Sequence, residues 1–114
     1  MTDCLFCKMV SGEIAPDKVF EDDDVLAFSD INPQAPLHFL VIPKKHITTL
    51  NDLEAGHAEL VGKMYLAAKK VADDKGVARG GYRTVMNCNA DAGQTVWHIH
   101  LHVLGGRTMT WPPG

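Results

Sequence analysis

In the stretch Trp97-His98-Ile99-His100-Leu101-His102-Val103-Leu104, histidine and apolar residues alternate strictly over the first seven positions. Because successive side chains of a β-strand point to opposite faces, His98, His100 and His102 are predicted to share one face, about 6.5–7 Å apart along the strand. The apolar residues between them then face the core. A solvated strand face more often carries Thr, Lys, Glu or Ser, so three aligned imidazoles require a chemical reason.

The segments on either side of this stretch predict an α+β domain with an antiparallel sheet of about five strands, one long helix and one short N-terminal helix. Asp3 is the expected N-cap of the short helix, and Gly12 follows its end. Asn51 with Glu54 resembles a capping box for the long helix, which Gly76 is expected to end. We expect strands over residues 18–20, 25–28, 37–42, 82–88 and 95–104, and helices over residues 3–10 and 52–75.

Length, charge and cysteine count limit the classes of protein to which the chain can belong. A chain of 114 residues is expected to form a single domain, residues 1–114. Its net charge of −3 argues against nucleic acid or an anionic membrane as a partner bound through bulk charge. No apolar run approaches the ~20 residues that cross a bilayer, and Met1-Thr2-Asp3-Cys4 lacks the basic start of a signal peptide. Three cysteines, an odd number, argue against a disulfide framework and favour a cytoplasmic location.

Imidazole chemistry offers two explanations for the aligned histidines. Neutral imidazole binds metals, and it also acts as a nucleophile or proton carrier with an ordinary pKa of about 6.5. Crowding three such rings disfavours charging more than one of them, which keeps a lone pair available near neutral pH. The alternative is exposed histidines without a role, which is the interpretation that we adopt for the isolated His57.

The alternating stretch is similar to the His-x-His-x-His-x-x signature, with x apolar, of the histidine-triad (HIT) superfamily. Two further segments, Leu104-Gly105-Gly106-Arg107 and Trp111-Pro112-Pro113-Gly114, resemble the Hint branch, the purine nucleoside phosphoramidases, more than the Fhit-like dinucleoside polyphosphate hydrolases. The resemblance implies an HIT-like fold whose sheet continues across a homodimer, with a C-terminal tail over residues 105–114. The matching blocks run nearly end to end: Gly12-Glu13-Ile14, Asp30-Ile31-Asn32-Pro33-Gln34-Ala35-Pro36-Leu37-His38, Val41-Ile42-Pro43-Lys44-Lys45-His46, Gly81-Tyr82-Arg83, Gly93-Gln94, Leu104-Gly105-Gly106-Arg107 and Trp111-Pro112-Pro113-Gly114.

The same resemblance implies an adenosine 5′-monophosphoramidase type of hydrolase. Such enzymes cleave purine nucleoside 5′-phosphoramidates and aminoacyl adenylates, release AMP or GMP, and work through a nucleotidyl-histidine. His100 matches the nucleophile, and His102 matches a residue that contacts the phosphate; His98 and His38 complete the catalytic histidines. The acid that protonates the departing amine stays open between His102, His38 and the substrate's own ammonium form. No cofactor is implied for the chemistry itself.

Several positions match the family's nucleotide-binding residues. Backbone N–H groups of residues 93–95 (Gly93, Gln94 and Thr95) are placed to hold the phosphate, with Asn87 beside them. Asp30 matches the carboxylate that binds the ribose hydroxyls. Phe6, Phe28 and Ile31 match the apolar slot for the purine, although core packing is the alternative for the two phenylalanines. In the family the tail reaches the partner's site, so Trp111 is a candidate for leaving-group specificity in trans.

The pair Cys4-Leu5-Phe6-Cys7 raises the question of a metal. Residues three apart lie on one side of a helix, and two histidines would complete a Cys₂His₂ zinc set. The resemblance points to His46 and His98 as those histidines and to a structural Zn²⁺. The alternative is a pair of free thiols at a helix edge. Cys88 is expected in the core.

Three other functions remain open from the sequence. A dinucleoside polyphosphate hydrolase would keep the fold and change the substrate. A metallohydrolase would use the three histidines of the triad as a metal site that activates water. A non-catalytic nucleotide-binding module would regulate a partner through its dimer surface.

Overall fold

The computed structural model describes residues 3–114, so Met1 and Thr2 of the N-terminal stretch discussed above lie outside the described residues. Five strands form one antiparallel sheet in the order β1-β2-β3-β5-β4. The α+β prediction of about five strands, one long helix and one short helix is therefore confirmed. The elements are α1 (Leu5–Ser11), β1 (Lys18–Glu21), β2 (Val25–Ser29), β3 (Leu37–Pro43), α2 (Ala58–Asp74), β4 (Tyr82–Val85) and β5 (Leu101–Gly105).

The two helices cover opposite faces of the sheet. The α2 face holds the larger core, in which Met64 and Val71 of α2 pack with alternate strand residues, among them Ile99, Leu101 and Val103. The α1 face holds a smaller cluster around Phe6, to which β2 and β3 contribute Leu26, Phe28, Leu40 and Ile42. The predicted alternation is therefore confirmed: Ile99, Leu101 and Val103 enter the α2 core, and the histidines between and beside them lie on the α1 face.

The short helix begins differently from the prediction. Its N-cap is Cys4, not Asp3, and the Cys4 thiol accepts the backbone N–H of Cys7. Gly12 ends the helix at φ +90°, a left-handed conformation that glycine adopts without a steric cost. Because the cap is a cysteine, the sulfur is held at the helix N-terminus beside the second thiol.

The long helix starts later than predicted, at Ala58 instead of residue 52. Two 3₁₀ turns precede it, and the first has a capping box of Thr49 and Asp52, not Asn51 and Glu54. Gly76 follows the helix end at φ +81°, as expected. The apolar spacing that suggested the helix is correct, since Met64, Ala67, Ala68 and Val71 are all buried.

Strands β4 and β5 are shorter than the predicted 82–88 and 95–104. The last β3–β5 pair joins Val41 to Leu101, and the next β3 residue on that face is Pro43, which has no N–H to extend the ladder. The β4 strand ends at Val85, opposite His102, because its antiparallel partner β5 begins only one residue further on, at Leu101. In the part of the chain that the structure describes, no helix has the length and apolar character required to span a bilayer.

Candidate functional site

His100 directly precedes β5, and its buried ring packs edge-on against Phe6 of α1 with the ring centroids 5.1 Å apart. Its Nδ1 lies 2.8 Å from the carbonyl oxygen of His98. Because a carbonyl only accepts, Nδ1 carries the proton and Nε2 keeps the lone pair of the neutral ring. Burial lowers the pKa of His100 below its usual 6.5, against the opposing effects of the His98 carbonyl and Asp30. The ring is held as a neutral base with one defined lone pair.

Hydrogen bonds also define the protonation of His102. The backbone N–H of Gln34 donates to Nδ1 of His38 at 3.0 Å, so the proton of the neutral His38 ring lies on Nε2. This Nε2–H lies 2.9 Å from Nδ1 of His102, which is therefore the acceptor, and His102 carries its own proton on Nε2. Burial, with the nearby His100 and His38, lowers the pKa of His102 to about 4. Burial likewise lowers the pKa of His38, against the effect of Asp30.

Asp30 lies beside this histidine pair. Its Oδ2 is 3.4 Å from Nε2 of His38 and 3.9 Å from Nδ1 of His102. Its Oδ1 accepts the backbone N–H of Asn32 at 2.8 Å, which fixes the carboxylate at the edge of the site. The carboxylate therefore contacts the histidine pair and the loop after β2 at once.

A cavity of about 630 Å³ opens onto these side chains. That size is typical of small-ligand sites. Phe6 and Phe28 are buried with ring centroids 5.5 Å apart, so they belong to the α1-face core and also line the cavity. Ile31 is fully exposed at the rim. Nine predicted nucleotide-binding positions line this cavity: Phe6, Phe28, Asp30, Ile31, Asn87, Gly93, Thr95, His100 and His102.

Gln94 is placed differently from the prediction. It is buried outside the cavity lining, and its side chain bonds the backbone of Asn89, Thr48 and Val96. The backbone N–H groups of Gly93 and Gln94 donate to Ala90 and Asn89 within the loop. Two of the three amides that were expected to hold a phosphate are thus engaged in the loop itself. The side chain of Gln94 shapes the loop that presents Thr95.

The four predicted metal ligands come together at the other end of the triad stretch. The Nδ1 atom of His98 lies 3.4 Å from the thiol of Cys4, 3.6 Å from that of Cys7 and 3.2 Å from Nδ1 of His46. The Cys7 thiol is 3.3 Å from the same nitrogen of His46. Tetrahedral zinc with bonds of about 2.0–2.3 Å separates its donor atoms by about 3.3–3.8 Å. The donor set and its spacing therefore fit Zn²⁺.

His98 is oriented for this cluster by a backbone carbonyl. Its Nε2 lies 2.8 Å from the oxygen of Pro43 and so carries the proton, which leaves Nδ1 as the lone pair that faces the thiols. Burial lowers the pKa of His98 to about 4. The three triad histidines do not converge on one point, because His98 faces the cysteines and His100 with His102 face the cavity. The metallohydrolase alternative, which needs all three around one ion, does not fit.

Trp111 and Cys88 also lie away from the cavity lining within this chain. Trp111 is 80% exposed, and its ring is contacted by the guanidinium of Arg83 on β4. Cys88 is half-buried, not a full core residue. Several residues that line the cavity were not predicted from the sequence, among them Met9, Ile14, Pro16, Leu40 and Val96. Of these, only Ile14 lies in a segment that resembles the family.

Comparisons with known proteins agree with this fold. The family model described as "Scavenger mRNA decapping enzyme C-term binding" matches residues 3–111. The crystal structure of a HIT family hydrolase from Legionella pneumophila superposes with a TM-score of 0.97 at 56% identity, over 98% of this chain and 100% of that one. The chain therefore belongs to the histidine-triad (HIT) superfamily.

Two relatives at 49% identity place it more closely. One is a purine nucleoside phosphoramidase of Escherichia coli, aligned over 92% of this chain and 88% of the relative. The other is an uncharacterized HIT-like protein of Synechococcus elongatus, aligned over 98% of this chain and 97% of the relative. Both alignments span nearly the whole chain.

Proposed function

We propose that this protein hydrolyses purine nucleoside 5′-phosphoramidates, and aminoacyl adenylates, through a nucleotide covalently attached to His100. The observation that carries the proposal is the tautomer of His100, whose Nδ1 proton is held by the His98 carbonyl while Nε2 is left as a lone pair in a ring that lines the cavity. The names of the two relatives, a purine nucleoside phosphoramidase and a HIT family hydrolase, support the same reaction class.

In the first step Nε2 of His100 forms a bond to phosphorus, and the bond from phosphorus to the amine nitrogen breaks. The positive charge that develops on the imidazole is stabilised by the Nδ1–H bond to the His98 carbonyl. The amine leaves as a neutral molecule when its nitrogen is already protonated in the substrate. An aminoacyl adenylate instead releases a carboxylate, which needs no proton to leave.

The role that the hydrogen bonds support for His102 is that of a neutral donor. Its Nε2–H is fixed by the acceptor role of Nδ1, and losing that proton from a neutral ring would create an imidazolate. We therefore assign the Nε2–H of His102 to a phosphoryl oxygen, where it stabilises the charge of the transition state. The proton on the departing amine is then assigned to the substrate's own ammonium form.

In the second step a water molecule attacks phosphorus, and the bond to Nε2 of His100 breaks. The oxygen of water becomes a phosphate oxygen, one of its protons stays on the phosphate and the other passes to the solvent, and the nucleoside monophosphate is released. His100 returns to its neutral form, because the electron pair of the broken bond returns to Nε2 while Nδ1 keeps its proton. The enzyme is then ready for another cycle.

The cavity supports a purine nucleotide as the substrate class. Phe6 and Phe28 supply an apolar, aromatic wall for a purine ring, and Ile31 stands at the rim. Asp30, a carboxylate at the edge of the site, is suited to accept hydrogen bonds from the two ribose hydroxyls. Thr95 and Asn87, which line the cavity near His100, supply polar groups for the phosphate.

A substrate panel tests the proposal. Wild-type protein and a His100→Ala variant are incubated with adenosine and guanosine 5′-phosphoramidates and with a dinucleoside polyphosphate, with and without a chelator. We expect phosphoramidate hydrolysis that survives the chelator and is abolished in the variant. Faster cleavage of the dinucleoside polyphosphate would favour the alternative hydrolase, and nucleotide binding without turnover would favour the non-catalytic module.

We propose further that the protein is a homodimer in which the sheet continues across β4. This strand pairs only with β5 in the structure and so leaves its other edge open, which is a position where chains pair. The exposed Trp111 in the tail is then available to a partner's site. Sedimentation of the full chain measures the dimer, and deletion of residues 108–114 should alter the amine preference more than the stability. An unchanged amine profile would contradict the role of Trp111.

We also propose that Cys4, Cys7, His46 and His98 hold a structural Zn²⁺. When bound, the ion would tie α1 and the loop after β3 to the triad stretch, and with four protein ligands it would have no open position for catalysis. Metal analysis of protein purified without a histidine tag is expected to give about one zinc per chain, and its absence would contradict the proposal. A cytoplasmic location, where thiols stay reduced, is part of the same proposal.

A further inference from the structure

A line of hydrogen bonds joins the C-terminal tail to the histidine pair of the cavity. The Nε of Arg107 donates to the carbonyl oxygen of Gln34 at 3.1 Å. The backbone N–H of the same Gln34 donates to Nδ1 of His38, whose Nε2–H in turn faces Nδ1 of His102. Gln34, in an exposed loop, thus accepts a hydrogen bond from the tail through its carbonyl and donates one to the buried His38 through its N–H.

The loop that carries Gln34 depends on the tail for its position. Residues 31–34 are exposed and belong to no helix or strand, so little core packing fixes them. The tail packs closely against the loop at Gly106, where an added Cβ would lie 3.0 Å from Pro36. Arg107 follows directly and is itself braced by a bond to the carbonyl of Thr108. The tail therefore sets where the N–H of Gln34 points.

The direction of that N–H decides which nitrogen of His102 carries a proton. With the donor in place, Nδ1 of His38 must stay unprotonated, Nε2–H must face His102, and His102 must present Nε2–H to the cavity. Without it, only the Asp30 carboxylate, 3.4 Å from Nε2, still favours that tautomer of His38; the other tautomer becomes accessible, and in it His102 presents a lone pair instead of a donor. A lone pair would repel a phosphoryl oxygen where a donor would bind it.

The same hydrogen bonds disfavour a second metal site at Asp30, His38 and His102, although their donor atoms lie close together. A metal on Nε2 of His38 would move the proton of the ring to Nδ1. That proton would then oppose the N–H of Gln34, 3.0 Å away. The geometry favours a line of hydrogen bonds over an ion.

We propose that Arg107 is a positioning residue that fixes the tautomer of His102 through Gln34 and His38. The catalytic consequence rests on the proposed function, in which His102 donates to the phosphoryl group; the structural link does not. Arg107 contacts neither the cavity lining nor the reacting atoms, so it acts on the reaction only through the loop.

Ring ¹⁵N NMR spectra of the labelled full-length protein test the link directly. Wild-type protein is expected to show His38 and His102 as single Nε2–H tautomers near neutral pH. In Arg107→Ala both rings should shift toward a mixture of tautomers, while the His98 signals stay unchanged. Arg107→Lys, which keeps the charge and one donor, should restore the wild-type pattern in part. Arg83→Ala is the matched control, because it removes an arginine bond to the tail carbonyl of Thr110 without touching Gln34.

The activity arm separates this inference from the proposed function. In Arg107→Ala kcat for an adenosine phosphoramidate should fall about tenfold, with KM nearly unchanged, as expected for loss of one charge-assisted hydrogen bond. An inactive wild-type protein would refute the proposed function and leave the NMR result as the decisive test of the link. Unchanged His38 and His102 tautomers in a folded Arg107→Ala variant would overturn the inference, whatever the activity. If that variant fails to fold, Arg107→Lys is judged by the same spectra.

Discussion

The two ends of the triad stretch use the same side chain in opposite ways. At one end His98 gives its Nε2 proton to the carbonyl of Pro43 and turns Nδ1 toward two thiols and His46. At the other end His100 gives its Nδ1 proton to the carbonyl of His98 and turns Nε2 toward the cavity. Both rings are buried and on the same sheet face, so burial and strand geometry do not separate them.

What separates them is the backbone carbonyl that each ring meets. A carbonyl accepts only, so it selects the nitrogen that carries the proton and leaves the other as a ligand or a nucleophile. The Pro43 carbonyl is available because β3 ends there, and the His98 carbonyl because β5 has not yet begun. His98 thereby acquires the geometry of a metal ligand, and His100, the next histidine of the motif, acquires that of a nucleophile. Variants at each end should therefore give different losses.

The largest expected effect on activity comes from the cavity end. His100→Ala removes the nitrogen that is proposed to bond phosphorus, so kcat/KM for an adenosine phosphoramidate should fall at least about 10³-fold. Steady-state hydrolysis measures the loss, and a thermal melt confirms that the variant is folded. If His100→Ala kept more than a tenth of the wild-type activity, His100 would not be the nucleophile, and the contrast between the two ends of the triad stretch would be wrong.

The next effect concerns His102. Since its Nε2–H is assigned to the phosphoryl group, His102→Ala should reduce kcat about 10²-fold on both a phosphoramidate and an aminoacyl adenylate. His102→Gln, which keeps an N–H donor, is the matched control and should lose less. If only the phosphoramidate reaction were impaired, His102 would instead be the acid for the amine, and the neutral-donor role would be wrong.

A pH profile gives a smaller effect. Burial lowers the pKa of His100 below its usual 6.5, so the reactive neutral form persists as the pH falls. The acidic limb of kcat/KM, where the ring takes a proton, should therefore be centred below pH 6.5. An aminoacyl adenylate is the suitable substrate, because its leaving group needs no proton. An acidic limb centred at or above 6.5 would contradict a buried neutral nucleophile.

The smallest effect on activity is expected at the metal end. Cys7→Ser should abolish zinc binding and lower the Tm by roughly 10 °C, because metal binding contributes to folding. The kcat should change by less than about threefold, since the His100 tautomer depends on a carbonyl and not on the thiols. Cys88→Ser, outside the cluster, is the control. A loss of activity as large as that of His100→Ala would show that the two ends are not separate.

Short apolar runs between turn residues made the first three strands of the fold predictable. The strands at 18–20, 25–28 and 37–42 differ from the observed β1, β2 and β3 by one residue at most at each end, because apolar runs bounded by acidic turns or proline leave little choice. The late start of α2 was less visible. The pair Thr49 and Asp52 has the spacing of a capping box, as Asn51 and Glu54 do, and only the tertiary contacts decide between them.

The candidate site was predictable in its residue types and less so in its hydrogen bonds. The cluster of Cys4, Cys7, His46 and His98 and most of the cavity residues are brought together as the motif blocks suggested. The inward turn of Gln94 could not be inferred, because it depends on carbonyls of Thr48 and Val96 that only the folded loop presents. The tautomers likewise depend on backbone groups, which no side-chain pattern reveals.

Mass spectrometry of the enzyme quenched with acid-free denaturant during turnover tests the nucleophilic role of His100 most directly. The peptide that contains residues 98–102 is expected to carry a nucleotide adduct, with fragment ions that place it on His100. The adduct should be absent from His100→Ala. No adduct during turnover of a substrate that accumulates the intermediate, or an adduct on His98 or His102, would contradict the account.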